Sequence, residues 1–315
     1  MRTLATQEKY HIRAVQLIFR AKKELENEQL TPPQIAQWLV INNHAYSKAT
    51  WRQYRAALVY AFTRQIQDNT DNSYDLSTAI SLLKKAASPI GRLESRQTSA
   101  QKQKKMGESD LICLMDYFNG KPSRHGLATQ AWLLSGLWAG LRPCEWEHAV
   151  FTPSNELVII NAKNTQGRAH GVTRTLDMAD LTEQEQQVLC LHFDYVQQAK
   201  LDPGQKGISG FERFYSQCRS CLYEATRALW PKRKQFITLY SARHQFSANA
   251  KFNGLPLEQI AALMGHASIE TATAHYGRRS AGNGGGMKVT ANSDDVARVT
   301  ALNHHRMNAQ PGLGM

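Results

Sequence analysis

A small set of residues in the second half of the chain has types and spacing suited to chemistry on an anion. They are Arg142 in GLRPCEW, Lys163 in AKNTQG, Arg243 in YSARH, His266 in LMGHAS and Tyr276 in TAHYG. Guanidinium groups bind a phosphate or carboxylate bidentately, with a charge that does not titrate near neutrality. A tyrosine hydroxyl can act as a nucleophile, a lysine as a proton donor and an imidazole as a hydrogen-bond donor. Glu145 lies close enough to Arg142 to orient it, and Arg142 ends so apolar a stretch that its charge needs a partner. The alternative for that pair is a buried Arg–Glu tether that merely joins two helices. A lysine beside a turn is usually only solvated. His244 and His275 read as packing residues beside Arg243 and Tyr276.

The elements that must carry these groups are legible from periodicity. Between Phe236 and Arg279, Asn253-Gly254 breaks one helix and Pro256 suits the first turn of the next. Leu257, Ile260, Ala261 and Met264 make an apolar face, Gly265 ends that helix, and Ser268 is placed to cap another that carries Tyr276 near its far end. Upstream, Leu111, Leu114, Met115 and Phe118 mark an amphipathic helix, and Ala128 to Leu141 a strongly apolar one that runs into Arg142. Leu157–Ile160 and Val172–Met178 read as two strands around a turn at Lys163–Gly167. This hairpin holds Lys163 near its tip, flanked by Arg168 and Arg174.

The first hundred residues carry helical signals only. Ala14, Ile18, Ala21 and Leu25 share one face, Thr31-Pro32 starts a second helix, Thr50 precedes a third, and a fourth runs near Leu76 to Ala87. Lys48, Arg52 and Arg55 suit phosphate contacts or a solvated basic face. SRQTSAQKQKKM carries Lys102, Lys104 and Lys105 without an acid or an early aliphatic side chain, so it reads as a basic linker. After Arg279, SAGNGGG reads as a flexible break, and Ser293 as the start of a short helix with Val296, Val299 and Leu302 on one side. The domains implied are residues 1–94, a linker 95–106, a chemical domain 107–280 and a tail 281–315.

Composition narrows the partner. Lys and Arg number 38 against 26 acids, a formal charge of +12, which points to a polyanion, nucleic acid first and an anionic membrane second. No apolar run approaches the roughly 18–20 residues that span a bilayer, and no signal-peptide pattern opens the chain. Five cysteines are an odd number, and the pair Cys218-x-x-Cys221 has no second pair, so they read as reduced cytosolic thiols. His304-His305 has no partners at ligand spacing, and no metal site is expected.

In order and spacing, Arg142, Lys163, Arg243, His266 and Tyr276 resemble the signature of the tyrosine recombinases, or phage-type integrases, over roughly residues 107–279. The resemblance implies a mainly α fold, with an N-terminal helical core-binding domain clamping DNA and an α+β catalytic domain holding a small antiparallel sheet. It implies a site-specific recombinase that cuts DNA through a 3′-phosphotyrosyl link on Tyr276 and rejoins it without a cofactor or metal ion. Arg142, Arg243 and His266 would hold the phosphate and Lys163 would protonate the leaving oxygen. Glu145 would support them, with Lys48, Arg52, Arg55, Lys102, Lys104, Lys105, Arg168 and Arg174 as DNA contacts. The implied partners are double-stranded DNA, further copies of the chain in a synaptic tetramer, and accessory DNA-bending or directionality proteins, in the cytoplasm and away from membranes. Tyr240 departs from the pattern, because the family usually has His or Lys there. A phenol is a poorer proton acceptor than imidazole at neutral pH. A DNA-relaxing enzyme of the topoisomerase IB kind and an inactive DNA-binding regulator of the same fold remain as alternatives.

Overall fold

The computed structural model describes residues 4–68, 72–88, 101–162, 164, 169–205, 207–271, 276–284 and 286–309. The chain divides into two compact units, Met1–Arg96 and Gln97–Met315.

The first unit is helical: α1 (Leu4–Glu24), α2 (Pro32–Ile41), α3 (Lys48–Gln67) and α4 (Ser73–Lys85). Thr31 and Gln34 form a capping box at α2, where the Thr31 N–H donates to Gln34 Oε1 at 2.8 Å. α3 starts earlier than Thr50 suggests. Ser47 is its cap, with Oγ accepting from the Thr50 N–H at 3.1 Å. α1 packs on α3, and α2 on α4. The core holds Ala14, Leu17, Ala21, Trp38, Leu39, Trp51, Leu58, Phe62, Leu76 and Leu83. Leu25 falls past the end of α1 and is exposed. Lys48 and Arg52 are exposed one turn apart on α3, with Arg55 half-buried beside them.

The second unit is built around α6 (Arg124–Ala139), an apolar helix contacted by α7 (Glu183–Leu201), α8 (Gly210–Leu229) and α9 (Leu239–Phe252). α5 (Glu108–Gly120) packs on α6 and α8. Trp132 of α6 stacks on Phe214 of α8 at 5.5 Å between centroids. The sheet is antiparallel in the order β1 (Val150–Phe151), β2 (Glu156–Ile160), β3 (Thr173–Asp177), β4 (Thr290–Ala291). Leu157 pairs with Leu176 and Ile159 with Arg174, so all four side chains point to the buried face. The two outer strands are only two residues long. α10 (Leu257–Leu263) follows α9, and α11 (Ser293–Ala309) packs on α10 through Val299 against Ala261 and Ala262.

Two segments expected to be free are packed. Residues 101–106 lie along the second unit: Phe236 and residues 101–103 exchange backbone hydrogen bonds of 2.8 and 2.9 Å, and Met106 is buried. Lys102, Lys104 and Lys105 still point to solvent. The stretch after Tyr276 lies against α9, where Gln245 Nε2 donates to Ala281 O at 2.7 Å and Lys251 Nζ to Gly277 O at 2.8 Å. A side chain at Gly282 would collide with Phe252 and Ala248. Glycine here permits close approach rather than freedom.

Candidate active site

The site forms where three helix ends meet. Gly140 closes α6 in the left-handed region (φ 65°), and a 3₁₀ turn at Pro143–His148 follows. That turn is capped by its own acid: Glu145 Oε2 accepts from the Arg142 N–H at 2.8 Å. α10 ends at Leu263, and Gly265 (φ 64°) turns the chain so that His266 faces inward. Helix ends leave carbonyl oxygens without partners and a partial negative charge. Here buried arginines supply both needs. Arg243 on α9 donates from Nη1 to Gly140 O at 2.6 Å and from Nη2 to Met264 O at 2.7 Å. Arg174 on β3 donates from Nε to Leu263 O at 2.9 Å.

Glu145 is the hub. Arg142 Nη1 reaches its Oε1 at 2.5 Å, Arg174 Nη2 its Oε2 at 2.9 Å, and Arg243 Nη1 stands 3.7 Å from Oε2. The Ala162 N–H also donates to Oε1 at 3.2 Å, which ties in the end of β2. Burial would raise the Glu145 pKa, but Arg174, Arg243 and Arg142 together hold it far below the usual carboxylate range. Three guanidiniums around one carboxylate leave 3 − 1 = 2 positive charges in a buried cluster. Arg142 Nε is buried with no partner among the described residues. Uncompensated buried charge is costly, so such a cluster favours an anionic ligand.

Tyr276 faces this cluster. Arg243 Nε donates to its hydroxyl at 3.2 Å, and the Tyr240 hydroxyl lies 3.2 Å from it. Its ring sits between two imidazoles, His244 at 5.1 Å and His266 at 4.9 Å. Burial pushes the Tyr276 pKa up, but Arg243, Arg142 and hydrogen bonds from Tyr240 and Arg243 outweigh it and hold the phenol below its ordinary value. Burial and the neighbouring Tyr276 push Tyr240 up to about 12. The pair therefore loses its first proton from Tyr276, and Tyr240 keeps its own to donate. His266 is neutral, its pKa lowered by burial and by Arg243, Arg142 and Arg174. Arg243 Nη2 donates to His266 Nε2 at 3.0 Å, so the ring proton sits on Nδ1, which is buried and unpartnered among the described residues.

The structure thus brings Arg142, Glu145, Tyr240, Arg243, His266 and Tyr276 together. Lys163, Arg168 and His275 lie outside the described residues. Arg174 corrects the sequence reading. Its side chain is 1% exposed and cannot contact DNA. It belongs to the buried cluster, joined also to Asn161 Oδ1. The alternation Arg174–Leu176–Met178 carried that signal, because residues two apart on a strand share a face. His244 packs against the rings of both tyrosines, as a residue supporting the site. Among the described residues no group of His, Cys, Asp or Glu is placed to hold a metal ion, and no helix is long and apolar enough to cross a membrane.

No family model and no curated protein matches the chain. Solved structures do. A XerH site-specific recombinase bound to difH substrate before cleavage is 15% identical, over 85% of this chain and 75% of that one, with a TM-score of 0.45. The Tn1549 transposon integrase in complex with transposon right end DNA is 13% identical, over 92% of both chains, also at 0.45. An integrase from mycobacterium phage Brujita is 18% identical over 95% of this chain and 87% of that one, at 0.34. These matches are to tyrosine recombinases, and they run over most of the chain. At identities of 13–18% and TM-scores below 0.5 these likenesses decide nothing about this chain, and the chemistry rests on its own side chains.

Proposed function

We propose that this protein cuts and rejoins DNA at specific sites by transesterification on Tyr276. One observation carries the reading: a tyrosine hydroxyl lies 3.2 Å from a buried arginine, beside a cluster of three guanidiniums around one carboxylate. A phosphodiester fits that cluster. Arg142, with its unspent Nε, and Arg243 would neutralise the non-bridging oxygens, and His266 would donate a further hydrogen bond. The Tyr276 oxygen attacks phosphorus, the bond from phosphorus to the 5′ oxygen breaks, and a 3′-phosphotyrosyl link forms. The Tyr276 proton passes to solvent water, and the departing 5′ oxygen takes a proton, with Lys163 as the donor in this reading. Reversal of the step on a second 5′-hydroxyl rejoins the strands and conserves the bond energy.

Tyr240 stands in place of an imidazole and acts by donating to the Tyr276 phenolate. Lys48, Arg52, Arg55, Lys102, Lys104 and Lys105 offer phosphate contacts outside the site, and further copies of the chain would assemble on paired DNA sites.

The test is covalent capture. Wild type and Tyr276→Phe are incubated with genomic and mobile-element DNA, denatured, and the protein-linked DNA is sequenced. Recovery at a narrow set of sites from wild type alone is expected. Scattered recovery favours a DNA-relaxing enzyme. Specific binding with no covalent DNA from either protein would overturn the proposal and leave a DNA-binding regulator.

A further inference from the structure

Arg174 is a buried cation with no direct route to substrate, fixed to the site's framework through all three of its guanidinium nitrogens. Its Nη2 takes Glu145 Oε2 at 2.9 Å, its Nε takes Leu263 O at 2.9 Å, and its Nη1 takes Asn161 Oδ1. Three elements converge there: the turn after α6, the end of β2 and the end of α10. Gly265, whose turn presents His266, packs directly on this pair, and a side chain there would collide with Asn161 and Arg174.

The competition for Glu145 is the informative part. A carboxylate among three arginines pairs most tightly with those that reach it first. Arg142 holds Oε1 and Arg174 holds Oε2, while Arg243 is left at 3.7 Å with its Nε aimed at Tyr276. We propose that Arg174 is a positioning residue of the active site, which occupies Glu145 Oε2 so that Arg243 remains directed at Tyr276 and the phosphate. Without Arg174, Glu145 Oε2 pulls on Arg243 Nη1, 3.7 Å away, against the bonds that tie Arg243 to Gly140 O and Met264 O, and this turns Nε from the nucleophile. The cluster then falls from 3 − 1 = 2 to 2 − 1 = 1 surplus positive charge. This inference rests on the reading of Tyr276 as the nucleophile, but its first consequence can be read without DNA.

The experiment compares wild type, Arg174→Met and Arg174→Lys in the full chain. The first readout is the phenol titration of Tyr276, followed by NMR with ring-labelled tyrosine and assigned by its loss in Tyr276→Phe. Arg174→Met should raise the Tyr276 midpoint, while Arg174→Lys, which keeps the charge, should move it less. The second readout is covalent cleavage of the duplex recovered by capture, as a function of pH. Arg174→Met should slow cleavage about 100-fold at neutral pH, shift the profile to higher pH and change duplex affinity less than about threefold. A folded Arg174→Met with an unmoved Tyr276 titration and cleavage within threefold of wild type would sink the proposal. If Arg174→Met does not fold, Arg174→Lys decides. A lysine reaches Glu145 but cannot also hold Leu263 O and Asn161. Because a lysine keeps Glu145 Oε2 occupied, cleavage and Tyr276 titration close to wild type then support the proposal, and a tenfold slower cleavage with an unmoved Tyr276 titration overturns it. If no variant, wild type included, links to DNA but the titration shifts, the positioning role stands and the nuclease reading falls.

Discussion

Tyr240 and Tyr276 share one hydrogen bond and one proton question. The arginines lower Tyr276 while burial raises Tyr240 to about 12, so Tyr240 donates to the phenolate. Cleavage should rise with pH through a midpoint below the usual phenol value and fall again where the general acid loses its proton. Tyr240→Phe removes a hydrogen bond to the ionised form, so that midpoint should move up and the neutral-pH rate should fall roughly tenfold. Single-turnover cleavage against pH checks both. His192 makes a second residue-scale prediction. It is fully buried between Trp132 and Trp146, neither ring nitrogen has a partner among the described residues, and burial lowers its pKa to about 3. The unfolded chain takes up this proton near pH 6.5, whereas the folded chain resists it until about 3. Stability is therefore intact above pH 6.5 and lost as pH falls through that window, by on the order of 5 kcal/mol. His192→Phe should flatten the acid limb of a urea-unfolding series.

At the scale of elements, the arginine ladder ties α6, α9, β3 and α10 into one frame, and glycines make its corners. Gly140 and Gly265 both adopt positive φ, and a side chain at Gly140 would strike the Phe246 ring. Gly265→Ala should cost roughly 1–3 kcal/mol. It should also slow cleavage by more than that loss explains, because the new methyl pushes on Arg174. Denaturant midpoints beside cleavage rates separate the two effects. α11 supports the same frame from behind. Asp295, 2% exposed, accepts from the Thr175 N–H at 2.9 Å, stands 3.5 Å from His170 Nδ1 and pairs with Arg298. Asp295→Ala leaves a strand N–H unpaired and should cost about 1–3 kcal/mol. The α11 signal was legible as Ser293, Val296 and Val299 at helical spacing. Its seat on α10 was not, since an amphipathic face does not name the surface that covers it.

For the whole molecule, a formal charge of +12 predicts salt-dependent duplex binding, with affinity falling by about 10³-fold or more between 50 and 200 mM salt. A fluorescence-anisotropy titration series measures it, and a flat response would argue against phosphate contacts as the main source of affinity. The sequence by itself determined the helical first unit, the hairpin and the residue types of the site, because periodicity and capping are local and each motif travels on one element. Tertiary structure alone decided three matters. The partners of Arg174 were set by packing, because Glu145, Asn161 and Leu263 O reach it from other elements. Residues 101–106 were held by backbone hydrogen bonds to Phe236, which leave no mark in side-chain pattern. Gly277 and Gly282 became close contacts with α9 instead of a hinge. Each outcome depends on which surface lies opposite, and that is set by packing between segments far apart in the chain.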